Sequence, residues 1–241
     1  MKLKKIAVVI LANVFTAQAM ANGFYGQLNM GAAFPYFSNT QQRVTLTQSL
    51  DNEYSIKTPS ATSMVGAGLG YHWDFVSCHL GLGPSIYELT SKATGINTPF
   101  VNGGSGFPTL HYSAKGYITA IMFEPKLILT QYAWQPYVLL GAGIAWDHFK
   151  AYTETQTDSS SSARPTKTPF ASHTLSAVSY ESGIGIQRAV TMGAYAPVVT
   201  LDYRYMNFGN TSLGNANADH SSLSFGRLTA NVLMLGIVWV F

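Results

Sequence analysis

From residue 23 onward the chain alternates between apolar and small or polar residues with a period of two. Eight segments show it, near 23–33, 61–73, 78–90, 113–129, 135–151, 173–188, 196–208 and 227–241. In the seventh, Val199, Leu201, Tyr203 and Tyr205 oppose Thr200, Asp202 and Arg204. In the second, Val65, Ala67, Leu69, Tyr71 and Trp73 oppose Gly66, Gly68, Gly70 and His72. In the third, Leu80, Leu82 and Ile86 oppose His79, Gly81, Gly83 and Ser85; in the sixth, Val178, Tyr180, Ile184 and Ile186 oppose Ser179, Glu181, Gly183, Gly185 and Gln187. Side chains alternate faces along a strand, so each segment is predicted to be a strand with one apolar and one small-or-polar face. The gaps alternate too: long near 34–60, 91–112, 152–172 and 209–226, short near 74–77, 130–134 and 189–195. Strands joined in this way place both termini at one end. The pattern predicts an all-β, eight-stranded antiparallel up-and-down transmembrane barrel with four long extracellular loops and short periplasmic turns.

Composition sharpens this picture. Charged residues make up only 10% of the 241 residues, against about 25% in a typical soluble domain. Mean hydropathy is nevertheless only +0.11, and after the N-terminus there is no apolar run of the length a membrane helix needs. Apolar positions facing lipid and polar positions facing a lumen satisfy both facts. The N-terminus reads as an export signal: Lys2, Lys4 and Lys5, then the apolar stretch from Ile6 to Phe15, then Ala19-Met20-Ala21 as cleavage site, with Ala17-Gln18-Ala19 as an alternative. The expected division is residues 1–21 as signal peptide and 22–241 as an outer-membrane barrel. Removing three lysines from 14 Lys+Arg leaves 11 against 11 Asp+Glu, so the mature chain is formally neutral. No basic patch argues for nucleic acid. Cys78 is the only cysteine, which excludes an intrachain disulfide, and it does not follow the signal, which excludes lipid attachment there.

Aromatics gather near the ends of the segments. Trp73, Phe75, Tyr132, Trp134, Trp239 and Phe241 fall at the expected periplasmic ends, and Tyr87, Trp146, Phe149, Tyr205 and Phe208 nearer the outer ends, as two interfacial girdles would. The chain finishes on Leu233, Leu235, Ile237, Trp239 and Phe241 at alternate positions. This ending resembles the C-terminal strand of outer-membrane barrels, and the resemblance implies an assembly signal read by the barrel-assembly machinery. Gly23-Phe-Tyr-Gly, Gln135-Pro-Tyr-Val-Leu-Leu-Gly-Ala-Gly and Leu201-Asp-Tyr-Arg-Tyr-Met-Asn-Phe-Gly are similar to the first, fifth and seventh strands of the eight-stranded outer-membrane protein A, X and opacity-protein group. With the sequence stopping at the last segment, no periplasmic peptidoglycan-binding domain is expected.

Five charged residues fall on the lumen face: Glu124, Lys126, Glu181, Asp202 and Arg204. A charge in a narrow lumen is costly unless paired. The sixth and seventh segments form one hairpin, which puts Glu181 opposite Arg204 or one pair away. A Glu181–Arg204 contact is expected, with Lys126 or Asp202 completing a network that is structural or gating. His72 and His79 flank a short turn and would pair if it centres on Phe75-Val76, but a third metal ligand is lacking nearby, so neither metal nor cofactor is expected. Barrel deacylases of lipid A carry His and Ser two residues apart on a late strand. Tyr205-Met-Asn-Phe-Gly-Asn has neither, and His220 with Ser222 lies in a polar loop, so no catalytic residues are assigned. Lipopolysaccharide and outer-membrane lipids, the assembly machinery and a surface ligand of the loops are the expected partners. The expected function is structural or surface-recognising, with a narrow pore or a lipid A enzyme as the alternatives.

Overall fold

A computed structural model describes residues 23–47, 50–101, 109–156, 170–190, 196–215 and 222–241. The signal segment, Gly103 to Gly106, residues 157–169 and His220 lie outside these residues. The described chain forms eleven strands: β1 (Gly23–Phe37), β2 (Gln41–Thr47), β3 (Leu50–Lys57), β4 (Thr62–Asp74), β5 (Cys78–Val101), β6 (Leu110–Leu129), β7 (Gln135–Gln156), β8 (Phe170–Ala171), β9 (His173–Ala189), β10 (Val198–Asn215) and β11 (Leu223–Val240). Eight of them close into an antiparallel ring in the order β1, β4, β5, β6, β7, β9, β10, β11. The ladder from Tyr25↔Val240 to Phe37↔Leu228 joins first strand to last, so the wall has no free edge there. Each predicted segment is one strand of this ring. Among the described residues no helix is long and apolar enough to cross a membrane, a statement that does not bear on barrels.

The strands run further than the alternation predicts. The stretch 34–60, expected as a long loop, holds the end of β1 and the β2–β3 hairpin; the stretches expected as loops at 91–112, 152–172 and 209–226 hold the outer ends of β5, β6, β7, β10 and β11. The reason lies in β6. Toward the short turns, Ile121, Phe123 and Leu127 point outward while Glu124 and Lys126 point inward; toward the other end, Tyr112, Ala114 and Ile118 are buried inside while His111 and Lys115 are exposed. The pattern inverts from apolar-out to apolar-in along one strand. The upper portion therefore resembles the wall of a water-surrounded barrel, with polar exposed residues that read as loop in the sequence. There β3 joins β5 from Leu50↔Val101 to Lys57↔Thr94, so the β2–β3 hairpin extends the wall into a tower. Gln42 fastens this hairpin to β11: its Nε2 donates to Ser222 O (3.0 Å) and its Oε1 accepts from Ser224 N (2.6 Å).

The outward face of the lower portion is a continuous apolar belt. Val178 is 77% exposed, Ile184 64% and Leu140 61%, exposures that a water-facing surface would not gather over a whole circumference. Trp146 and Tyr205 are also exposed on the wall, as girdle residues should be. Tyr87, Phe149 and Phe208, assigned from sequence to the same girdle, are instead buried in the lumen. Tyr87 follows the outward Ile86 and so must face inward; Phe149 shares parity with Asp147 and Ala145, both buried.

Candidate functional site

The lumen holds the polar chemistry, and one device in the strands makes room for it. Each of the five predicted lumen charges pairs across the ladder with a glycine: Glu124↔Gly83 and Lys126↔Gly81, Glu181↔Gly141, Asp202↔Gly185 and Arg204↔Gly183. The same holds for Tyr87↔Gly66; a Cβ at Gly66 would overlap the Tyr87 ring. A large side chain can lie flat across the lumen because its neighbour has none.

Arg204 is the hub. Its Nε donates to Asp202 Oδ1, and its Nη2 to Asp202 Oδ2 at 3.3 Å. Its Nη1 lies 3.4 Å from Glu181 Oε2 and 3.5 Å from Glu124 Oε1, and donates to the Tyr87 hydroxyl oxygen. Asp202 and Arg204 are two residues apart, hence on one face; Glu181 is two ladder pairs from Arg204 and so on the same face, since Arg204↔Gly183 and Met206↔Glu181. Tyr87 donates its hydroxyl to Glu124 Oε1, and Tyr137 donates to Asp202 Oδ2 at 2.7 Å. Gln27 Nε2 reaches Ser85 Oγ (2.9 Å) and Glu124 Oε2 (3.4 Å). All four charged groups of this cluster are buried. Sequence reading brought out the charges but missed Gln27, Tyr87 and Tyr137, whose polar tips are hidden within residues that read as aromatic or generic lumen filler.

Lys126 stands apart from the hub. Its Nζ donates to Gln187 Oε1 at 2.9 Å and lies 3.8 Å above the Tyr137 ring; Gln187 in turn donates to Gln135 Oε1 at 3.0 Å. Beneath it the lumen opens toward the short turns in a cavity of about 220 Å³ lined by Tyr25, His72, His79, Lys126, Gln135 and Gln187 among others. The two histidines do not pair with each other, as the sequence suggested. The ladder has Asp74↔His79 and His72↔Gly81, because the turn centres on Val76-Ser77, one residue later than the sequence suggested. Their rings still lie 6.0 Å apart, held by Asp74, which contacts His79 Nδ1 and lies 3.5 Å from His72 Nε2. Among the described residues no cluster of three or more His, Cys, Asp or Glu is arranged to hold a metal.

Above the hub the filling turns apolar. Phe149 packs against Phe225 (ring centroids 5.0 Å) and Phe37 (6.1 Å), and Tyr54, Tyr112, Tyr152 and Phe170 cap the tower. In this cap burial pushes the Tyr54 hydroxyl up to about 12 and raises Tyr112 and Tyr152 also. Asp147 is an exception in this layer. It is 2% exposed, and among the described residues neither carboxyl oxygen has a hydrogen-bond partner; its ladder neighbours are Ile118 and Leu175. Replacing such a group by an apolar one of similar shape removes an uncompensated desolvation. Asp147→Leu is expected to raise the unfolding free energy by about 1–3 kcal/mol, read from urea titrations of the refolded protein; an unchanged midpoint would show that the carboxyl is solvated.

The terminal residues expected to carry an assembly signal sit as follows. Leu233, Leu235 and Ile237 are exposed on the belt, Trp239 pairs with Gly26, and Phe241 N donates to Phe24 O at 2.8 Å.

No family model and no curated protein matches this chain. Solved structures do. The Neisserial surface protein A aligns over 93% of this chain and 100% of its own at 12% identity and a TM-score of 0.42. The outer membrane protein OprG from Pseudomonas aeruginosa aligns over 91% and 96% at 14% identity and 0.45, and the outer membrane protease OmpT from Escherichia coli over 94% and 99% at 11% and 0.44. The architecture rests on this chain's own ladders: it is an eight-stranded, antiparallel, up-and-down β-barrel, apolar on its lower outer wall and filled with side chains within.

Proposed function

We propose that the protein is an integral barrel of the bacterial outer membrane, exported by its N-terminal signal, that works as a plugged scaffold presenting its tower and long connections at the cell surface for structural or recognition purposes. The observation that carries this reading is the filled lumen. Arg204, held by three carboxyl groups, occupies its middle, and the Phe37, Phe149 and Phe225 rings occupy the level above. An eight-stranded barrel has an interior just wide enough for side chains, and here both levels are taken. The apolar belt supplies the membrane face, and the short turns face the periplasm. The purified, refolded protein in a planar lipid bilayer is expected to show no steady ion conductance. Steady channels whose size changes in Glu181→Gln would replace this reading with a pore.

Leu233, Leu235, Ile237, Trp239 and Phe241 serve in this reading as the signal for the assembly machinery. Deleting Phe241 is expected to lower the amount of barrel at the cell surface while leaving its melting in detergent nearly unchanged. Equal loss in both would make Phe241 a stabilising residue only.

A further inference from the structure

Three lysines stand in one lateral row on the outer wall. The ladders pair Lys92 of β5 with Lys115 of β6, and Lys115 with Lys150 of β7. All three are exposed. Neighbouring strands are about 4.8 Å apart, so three ammonium groups rise from a strip of wall about 10 Å wide. Like charges directly opposite one another destabilise a sheet, and among the described residues none of the three lysines forms an ion pair. Along β5 the next outward carboxyl, Glu88, is four residues away toward the belt.

The surroundings extend the charge. Lys57 pairs with Thr94, beside Lys92, and a shallow depression of about 280 Å³ next to the row is lined by Lys57, Lys92, His111, Ser113, Thr153 and Thr155, with others. The row also has a defined height. Lys115 is two residues above Tyr117, which is exposed on the wall, and Lys150 lies with its Nζ 4.6 Å from the Tyr117 ring centroid. Below come the outward Ile121 and Phe123 of the belt.

The backbone is distorted at this height. The β6–β7 register shifts between Ser113 and Lys115, and Ala151 adopts φ 54, a left-handed conformation that costs a non-glycine residue energy. The extra residue lets Lys150 point outward while Tyr152, two positions on, is buried. In a regular strand the two would share a face. Bulges commonly re-aim a side chain in this way.

We propose that Lys92, Lys115 and Lys150 form a binding site for a phosphorylated headgroup of a lipid in the outer leaflet. Lysine binds phosphate as a point charge, and basic clusters just outside an apolar span attract anionic lipid headgroups. A lipid is the occupant because the row lies at the rim of the belt beside an interfacial tyrosine, where a headgroup sits and where its acyl chains reach the apolar wall. This inference rests on the membrane placement proposed above.

The test uses the full mature chain refolded in detergent, with bisphosphorylated lipid A and its dephosphorylated form as probes, and bound lipid counted by native mass spectrometry. Wild type is expected to retain the bisphosphorylated lipid with about tenfold or greater preference. The triple variant K92Q/K115Q/K150Q loses that preference, K92R/K115R/K150R keeps it, and R227Q, an exposed cation on β11, leaves it unchanged. Equal retention of both lipids by wild type overturns the site whether or not the glutamine variant folds. Displacement of the lipid by millimolar inorganic phosphate would assign the row to soluble phosphate instead. The membrane reading fails separately, by the mature chain staying soluble and folded without detergent.

Discussion

Arg204→Met is expected to destabilise the barrel by about 3–5 kcal/mol, the usual consequence of removing one partner from a buried ionic cluster. Arg204 is the one cation within 4 Å of Glu124, Glu181 and Asp202 among the described ion pairs. Without it three buried carboxyl groups lose their counter-charge, and the Tyr87 hydroxyl loses a donor. Neutralising the carboxyls together with the arginine, as Arg204→Met with Glu124→Gln, Glu181→Gln and Asp202→Asn, is expected to recover most of that loss, because a buried ionic cluster and an uncharged filling of similar volume differ little in free energy. Equilibrium urea unfolding in lipid vesicles, followed by tryptophan fluorescence, measures both. If the single and the quadruple variant lose the same amount, Arg204 stabilises by packing and not by charge. Glu181 has the weakest claim on the hub: its Oε1 has no hydrogen-bond partner among the described residues. Within the cluster it is therefore the cheapest carboxyl to neutralise.

The second large effect belongs to the aromatic level. Phe149→Ala removes a fully buried ring that touches Phe37 and Phe225, and is expected to cost about 3–5 kcal/mol. The ladder offers a rescue. Gly116 pairs with Phe149, and a Cβ at Gly116 would run into the Phe149 ring. Gly116→Phe alone is thus expected to destabilise, whereas the swap Gly116→Phe with Phe149→Ala returns the ring volume to the lumen from the neighbouring strand. A coupling energy near zero between the two substitutions would show that the level does not depend on this complementarity.

Much of this was legible in the sequence. Period-two alternation located all eight ring strands, because in the belt every second residue faces lipid and the contrast with glycine and polar residues is strong. Arg204, Asp202, Glu181, Glu124 and Lys126 were legible by the same parity. The outer ends were not. From 41 to 57 the residues Val44, Tyr54 and Ile56 face inward, but they are interleaved with Gln, Arg, Asp and Glu that meet water, and such a stretch reads as a polar loop. Tyr87 and Phe149 depart from the sequence expectation for a different reason: an aromatic near a strand end suggests an interface, but the parity of both residues points inward. Asp147 is not legible, because nothing in its local sequence distinguishes a buried aspartate in an apolar layer from an exposed one. The lysine row is invisible to any one-dimensional reading, since Lys92, Lys115 and Lys150 come together only through the register.

The inversion of polarity along β6 also sets a reach. Leu110–Gly116 continues the wall past Tyr117, and at about 3.3 Å per residue with the usual barrel tilt this raises the rim by about 20 Å. The crossings from β5 to β6 and from β10 to β11 leave the wall from a stiff, hydrogen-bonded collar and not from the plane of the headgroups. A collar of this height works as a pedestal: in the proposed membrane placement it holds the rim clear of the headgroups, and it separates what the rim presents from the part of the molecule that the lipid grips.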